Sequence, residues 1–137
     1  MNVHTPSDTV LEKIGFSNAI TAASNNGTGV DCQGFEKAMA VYYASPSGTG
    51  TTSDCKLQDS DDNSTFADVT SATFAQNTTV GGATIQVMNI NLSKRKRYVR
   101  LVHTGAGGSA AGQAYGLILL FNPRFNPPTH TQTVVSV

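Results

Sequence analysis

The charged residues of the acidic turn, residues 59–64, have types and spacing that could bind a metal ion. Asp59, Asp61 and Asp62 place carboxylate oxygens close together, and such oxygens are the ligands that calcium prefers. The EF-hand loop, however, requires Gly at its sixth position and Glu at its twelfth, where this chain has Ser64 and Thr70. We therefore predict a solvated turn between strands, with no metal and no cofactor.

The basic stretch, residues 94–97, carries Lys or Arg at every position. Three interpretations stay open: a solvated turn, contact with an acidic protein surface, or phosphate neutralisation on nucleic acid. The formal net charge is +0 and the chain has no Trp, so the composition does not favour nucleic acid. We predict that Arg95, Lys96 and Arg97 lie at an exposed turn. Their expected partners are carboxylates of another protein or the acidic turn of a neighbouring copy.

No set of nucleophile, base and acid is evident in the sequence. His4, His103 and His130 are scattered, and none has a Cys or His at metal-ligand spacing. His103 ends a predicted strand, where a surface or half-buried histidine is expected. The chain has no Gly-x-Ser-x-Gly elbow and no phosphate-binding loop. We expect a protein that is not an enzyme.

The elements that position these residues are predicted to be strands. The chain has 137 residues, enough for one domain with its own core, and 13% of them are charged against a usual share of about 25%. Thr, Ser, Asn and Gly replace the missing charges, and these residues favour strands joined by turns. Seven or eight short strands predict a β-sandwich or barrel. No stretch is long and apolar enough to cross a membrane, and no signal peptide is recognised.

Two hairpins are predicted from neighbouring strands. Residues 98–104 alternate in polarity, and residues 113–121 form a nearly continuous apolar run, so they read as a hairpin with a central, well-buried strand. Residues 35–44 and 52–60 read as a second hairpin, although Glu, Lys, Ala and Met leave a helix open for the first of these. That pairing would separate Cys32 from Cys55 by about 25 Å, too far for a disulfide.

Residues 84–92 form a strand in which neither face is purely apolar. We expect it at a sheet edge or at a boundary between subunits.

Three motifs together resemble the small capsid decoration (cement) proteins of tailed bacteriophages. They are a strand and acidic turn at residues 57–69, a KRYVRL strand at residues 96–101, and a closing apolar strand, LLFNPR, at residues 119–124. Asn63 and Phe66 stand where the family pattern has Gly and Trp. The resemblance covers residues 30–128.

The resemblance implies a jelly-roll-like β-sandwich. Together with the strand pattern, it leads us to predict an all-β, jelly-roll-like antiparallel β-sandwich with extended N- and C-terminal arms. It also implies a homo-oligomer, with a trimer favoured, that sits on the outer capsid surface of a virion made in the host cytoplasm. Its partner would be the major capsid protein, and nucleic acid and membrane are not expected partners. The alternative from another class is a carbohydrate-binding β-sandwich or host-attachment protein.

The expected organisation is an N-terminal arm or irregular first strand at 1–17, a sandwich at 18–122 and a C-terminal arm at 123–137. Three prolines keep the start of that arm extended, and the sequence after them is again β-prone. Thr133, Val134, Val135 and Val137 are the candidates for pairing with a sheet edge, and a disordered end is the alternative. Deleting residues 129–137 should then weaken assembly or capsid binding, measured by sedimentation, while the domain stays folded. Undiminished assembly and binding would contradict the arm.

Overall fold

The computed structural model describes residues 9–78, 80–107 and 109–124, and within them it forms two antiparallel β-sheets. Four long strands in the order β1-β9-β4-β7 make the first sheet. The second sheet has the order β2-β8-β5-β6, and β3 also pairs with β8. The strands are β1 (Val10–Ala19), β2 (Ser24–Asn26), β3 (Val30–Asp31), β4 (Phe35–Ser47), β5 (Thr52–Ser60), β6 (Ala67–Thr73), β7 (Thr84–Asn91), β8 (Tyr98–Ala106) and β9 (Ala111–Pro123).

The chain passes back and forth between the two sheets. If β2 and β3 are counted as one interrupted strand, each sheet has four strands, and only β5 and β6 are consecutive neighbours within a sheet. This connectivity is that of a jelly roll. The predicted all-β, jelly-roll-like sandwich is therefore confirmed, and residues 35–44 are strand and not helix.

The two predicted hairpins are wrong. β4 pairs with β7 and β9, whereas β5 pairs with β6 and β8, so β4 and β5 lie in different sheets. The same holds for β8 and β9. At each of these corners a glycine adopts a left-handed backbone, with φ of 86° at Gly48 and 117° at Gly107. Short turn-rich connections therefore carry the chain from one sheet to the other.

The core lies between the sheets and uses the alternation of their strands. The inner positions of β4, Ala38 to Ala44, alternate with partly exposed ones, and Tyr42 is completely buried. Ile118 of β9 lies beside them in the first sheet and Leu101 of β8 faces them from the second sheet, both with no exposed area. Cys32 and Cys55 are free and buried, as predicted. Burial raises the pKa of both thiols to about 12, which keeps them protonated at neutral pH.

The ends of the domain are only partly described. The boundary expected after residue 17 falls inside β1, which pairs along its length with β9. Residues 1–8 and 125–137 lie outside the described residues, and so do the arm candidates Thr133, Val134, Val135 and Val137. Within the described part of the chain, no helix is long and apolar enough to span a membrane.

Candidate interaction surface

The acidic turn and the basic stretch meet within one chain. β5 and β8 are antiparallel neighbours with Ser60 opposite Tyr98, so the turn that follows β5 lies beside the stretch that precedes β8. Two ion pairs link them in this one chain: Arg95 Nη1 lies 3.4 Å from Asp59 Oδ2, and Lys96 Nζ lies 3.1 Å from Asp61 Oδ2. The sequence suggested a partner in another copy, and contact with another protein stays a prediction.

Arg97 pairs with a residue that the sequence analysis did not identify. Its Nε donates to Asp31 Oδ1 at 3.0 Å and its Nη2 donates to Asp31 Oδ2 at 2.7 Å, a two-point contact between β3 and the start of β8. The hydrogen bond from Arg97 lowers the pKa of the Asp31 carboxyl. The guanidinium carbon also lies 5.0 Å from the centre of the Tyr98 ring. These contacts hold an exposed guanidinium at a defined place.

Asp62 organises the acidic turn itself. Its Oδ1 accepts hydrogen bonds from Ser60 Oγ, Ser64 N and Thr65 N at 2.8 to 2.9 Å. The two backbone donors, first Thr65 and then Ser64, lower the pKa of the Asp62 carboxyl to about 2. Among the described residues no group of three or more His, Cys, Asp or Glu could hold a metal ion. These hydrogen bonds fix the conformation of the acidic turn.

The outer face of the second sheet is polar. Asp68 accepts from Lys56 Nζ at 2.7 Å and from Gln58 Nε2 at 2.6 Å, and Gln58 in turn accepts from Arg100 Nε at 2.8 Å. The Arg100 guanidinium lies 4.1 Å from the centre of the Phe66 ring. Phe66 therefore packs on this outer surface beneath an arginine. These polar side chains therefore have their partners within the same face.

The outer face of the first sheet is apolar. The register aligns Ile14, Leu117, Val41 and Val87 in one row that crosses all four strands. The adjacent rows contribute two tyrosines, an isoleucine, a leucine and a methionine. We call this set the apolar face; it consists of Ile14, Met39, Val41, Tyr43, Ile85, Val87, Tyr115, Leu117 and Leu119.

Several side chains of the apolar face lie open to solvent in the single chain. Ile85 is 71% exposed, Ile14 66%, Val87 59% and Tyr115 45%. A shallow hollow of about 450 Å³ lies between Ile14, Tyr43 and Tyr115. A sandwich with one solvated face normally alternates apolar and polar residues, so an apolar outer face of this extent is a candidate interaction surface.

One pattern in the sequence is related to this apolar face. The run at residues 117–121 is apolar at every position, a pattern that is typical of strands buried on both sides. β9 is central, as predicted, and among the described residues only its inner side is covered. The predicted edge position of residues 84–92 is confirmed, because β7 pairs only with β4 among the described strands.

A buried polar group that the sequence analysis missed joins the two sheets. Tyr42 Oη and Ser53 Oγ lie 2.6 Å apart, and Ser53 Oγ lies 2.8 Å from His103 Nε2. His103, expected at the surface or half-buried, has no exposed area and stacks on Phe16 with ring centres 5.5 Å apart. Burial lowers the His103 pKa. A serine beside a histidine suggests catalysis, but this pair is sealed in the core and serves packing.

Comparisons with known proteins identify the fold. No family model matches the sequence, and no curated protein matches it. The solved structure of the SPBc2 prophage-derived protein YomS is similar, with a TM-score of 0.53 and 11% identity over 88% of this chain and all of YomS. The PBSX exported protein XepA is similar with a TM-score of 0.60 and 17% identity. That likeness covers 99% of this chain and 45% of XepA.

Proposed function

We propose that the protein is a structural component of a phage virion that binds the outer surface of the capsid. It stabilises the shell by bridging neighbouring major capsid subunits and catalyses no reaction. The apolar face supports this proposal as a surface for protein contact, through which a multivalent assembly can form. The jelly-roll fold shared with YomS, whose name records a prophage origin, supports a phage setting. The cement-protein resemblance of the three sequence motifs supports the capsid as partner.

Multivalency supplies the mechanism of stabilisation. A decoration protein that assembles through one surface and touches the capsid through another engages several sites at once. Each contact is modest, but linked contacts gain from a high effective concentration and become strong together. Two exposed ion pairs, Asp61–Lys96 and Asp31–Arg97, lie at one end of the sandwich. The charged surface that they form is our candidate for the capsid contact.

The test is binding to expanded capsids of the phage that encodes the chain. We expect the full chain to sediment with these capsids, and particles assembled without it to open at lower temperature or lower force. Absence of both binding and stabilisation would overturn the proposal. Reproducible binding to a single glycan on an array, with no capsid binding, would favour the carbohydrate-binding alternative.

A charge swap tests whether Arg97 reaches the capsid. Arg97→Asp breaks the pair with Asp31, whereas Asp31→Arg combined with Arg97→Asp rebuilds the pair in the opposite order at unchanged net charge. We expect both variants to bind capsids about 10-fold more weakly at low salt. The deficit should shrink as salt increases, because added ions screen contacts at an exposed surface.

The double variant is the informative control. If the Arg97–Asp31 pair serves only the fold of its own chain, the swapped pair restores wild-type affinity, which would contradict a capsid contact. Surface pairs of this kind contribute about 0–1 kcal/mol to stability, so both variants are expected to fold.

A further inference from the structure

We propose that the apolar face packs against the same face of a second copy of this chain, related by a twofold axis parallel to the strands. This pairing goes beyond capsid binding and does not depend on it. The argument rests on the size of the face and its self-complementarity.

The size of the face matches the apolar core of a stable interface. The apolar face spans four strands about 4.8 Å apart and three rows of side chains about 6.8 Å apart. Its area is therefore on the order of 300–400 Å². A standard interface buries about 800 Å² on each partner, and about 56–65% of it is non-polar, or roughly 450–520 Å². The apolar face supplies most of that area, and the polar residues around it would supply the rim.

A second copy is the partner that the face fits without any further component. Two sheets whose strands run nearly parallel pack face to face at about 10 Å, and this is the packing already present inside the sandwich. In a twofold contact the same patch serves both partners. Every copy of the chain carries the same apolar patch, so two copies can cover each other's patch without another protein.

The proposed axis defines which residues meet. A rotation about an axis parallel to the strands, between β9 and β4, keeps each row at its height and reverses the strand order. Leu117 of one copy then lies over Val41 of the other, and Ile14 lies over Val87. Tyr115 lies over Tyr43 in the same way. Apolar side chains therefore meet apolar side chains in both central rows.

Two charged residues border the apolar rows near this axis. Glu12 lies on the edge strand β1 in the row of Leu119, and Lys37 lies on β4 one row further along. Reversal of the strand order brings Glu12 of one copy towards Asn89 and Lys37 of the other, because Asn89 ends the row of Leu119 on β7. The two copies of Glu12 lie at opposite edges. Glu12 of one copy thus approaches Lys37 of the other, and the two copies of Lys37 lie beside the axis, one row beyond the apolar rows.

The first measurement is the mass of the full chain in solution by sedimentation equilibrium. We expect a dimer, and we expect Ile14→Lys or Val87→Glu to raise its dissociation constant about 100-fold, because each buries charge against an apolar partner. Both residues are exposed in the single chain, so neither change should unfold it. Val80→Glu is the matched control: Val80 is 50% exposed but lies in the loop before β7, and the dimer should persist.

The second measurement tests the axis. In the double variant Ile14→Lys with Val87→Glu, each lysine faces a glutamate of the other copy, and dimerisation should recover at least 10-fold relative to either single variant. Within one chain these positions lie three strand spacings apart, about 14 Å, so they cannot pair with each other. The like-charged double variant Ile14→Lys with Val87→Lys should not recover.

The remaining outcomes overturn the pairing. A wild-type monomer, or an oligomer indifferent to Ile14→Lys and Val87→Glu, would remove the twofold contact. A trimer that these changes dissociate would show the face meeting a different surface, not itself. A wild-type monomer that loses capsid binding through these changes would assign the face to the capsid, which leaves the proposed function intact while the pairing fails.

Discussion

Gly116→Ala is expected to destabilise the sandwich by about 3 kcal/mol, at the upper end of the cost of overpacking a core. Gly116 interrupts the apolar run of β9, and its missing side chain leaves the space that the Phe16 ring occupies. A β-carbon at residue 116 would overlap Phe16 and approach Leu101 Cδ1 to 2.9 Å. The Phe16 ring cannot easily yield, because it stacks on His103.

The measurement is urea unfolding of the full chain, with a double-mutant cycle as its control. Phe16→Leu removes the ring that an alanine would meet, so Gly116→Ala in that background should cost at least 1 kcal/mol less than in the wild type. Equal costs in the two backgrounds would show that the Phe16 ring does not exclude a side chain at residue 116.

Lowering the pH from 6.5 to 5 is expected to reduce the free energy of unfolding by up to about 2 kcal/mol, through His103. His103 is sealed between Phe16 and Ser53, and no described group accepts a hydrogen bond from its Nδ1. Burial lowers its pKa in the folded chain, and the charge of Asp54 opposes that shift only in part. The unfolded chain keeps a histidine pKa of about 6.5.

The direction follows from proton uptake. Below pH 6.5 His103 binds a proton in the unfolded chain but not in the folded chain. Its contribution to the free energy of unfolding is therefore fully present above that pH and falls as the pH drops towards the folded pKa. The carboxyls of Asp31, Asp62 and Asp68 also have lowered pKa values, but theirs lie below the ordinary value of 3.8. Their contribution is lost only at more acidic pH and does not overlap the histidine window.

His103→Gln separates the histidine from other causes. Glutamine keeps a polar group near Ser53 but does not titrate, so the variant should be less stable at pH 7 and its stability should change much less between pH 6.5 and 5. His4→Gln, at a histidine outside the described residues, is the matched control and should keep the wild-type slope. Equal slopes in the wild type and His103→Gln would assign the pH dependence elsewhere.

The sequence by itself determined the local structure of this protein. Alternation of polar and apolar residues predicted β8, and residues 35–44 were correctly predicted to form a strand, which is β4. The mixed faces of residues 84–92 placed that strand at an edge. Each of these features depends on neighbours within a few residues, and the pleat translates such patterns directly into inner and outer sides.

Only the tertiary structure decided which strands are partners and which polar groups meet. An alternating pattern shows that a strand has a buried side, but the inner sides of both sheets look alike, so β4 and β5 were joined in one hairpin. The same ambiguity hid the ion pairs of Arg95 and Arg97 and the burial of His103, whose partners lie 36, 66 and 50 residues away. The apolar run of β9 predicted a strand covered on both sides, and the described residues cover only its inner side. A pattern along the sequence does not specify what covers the outer side.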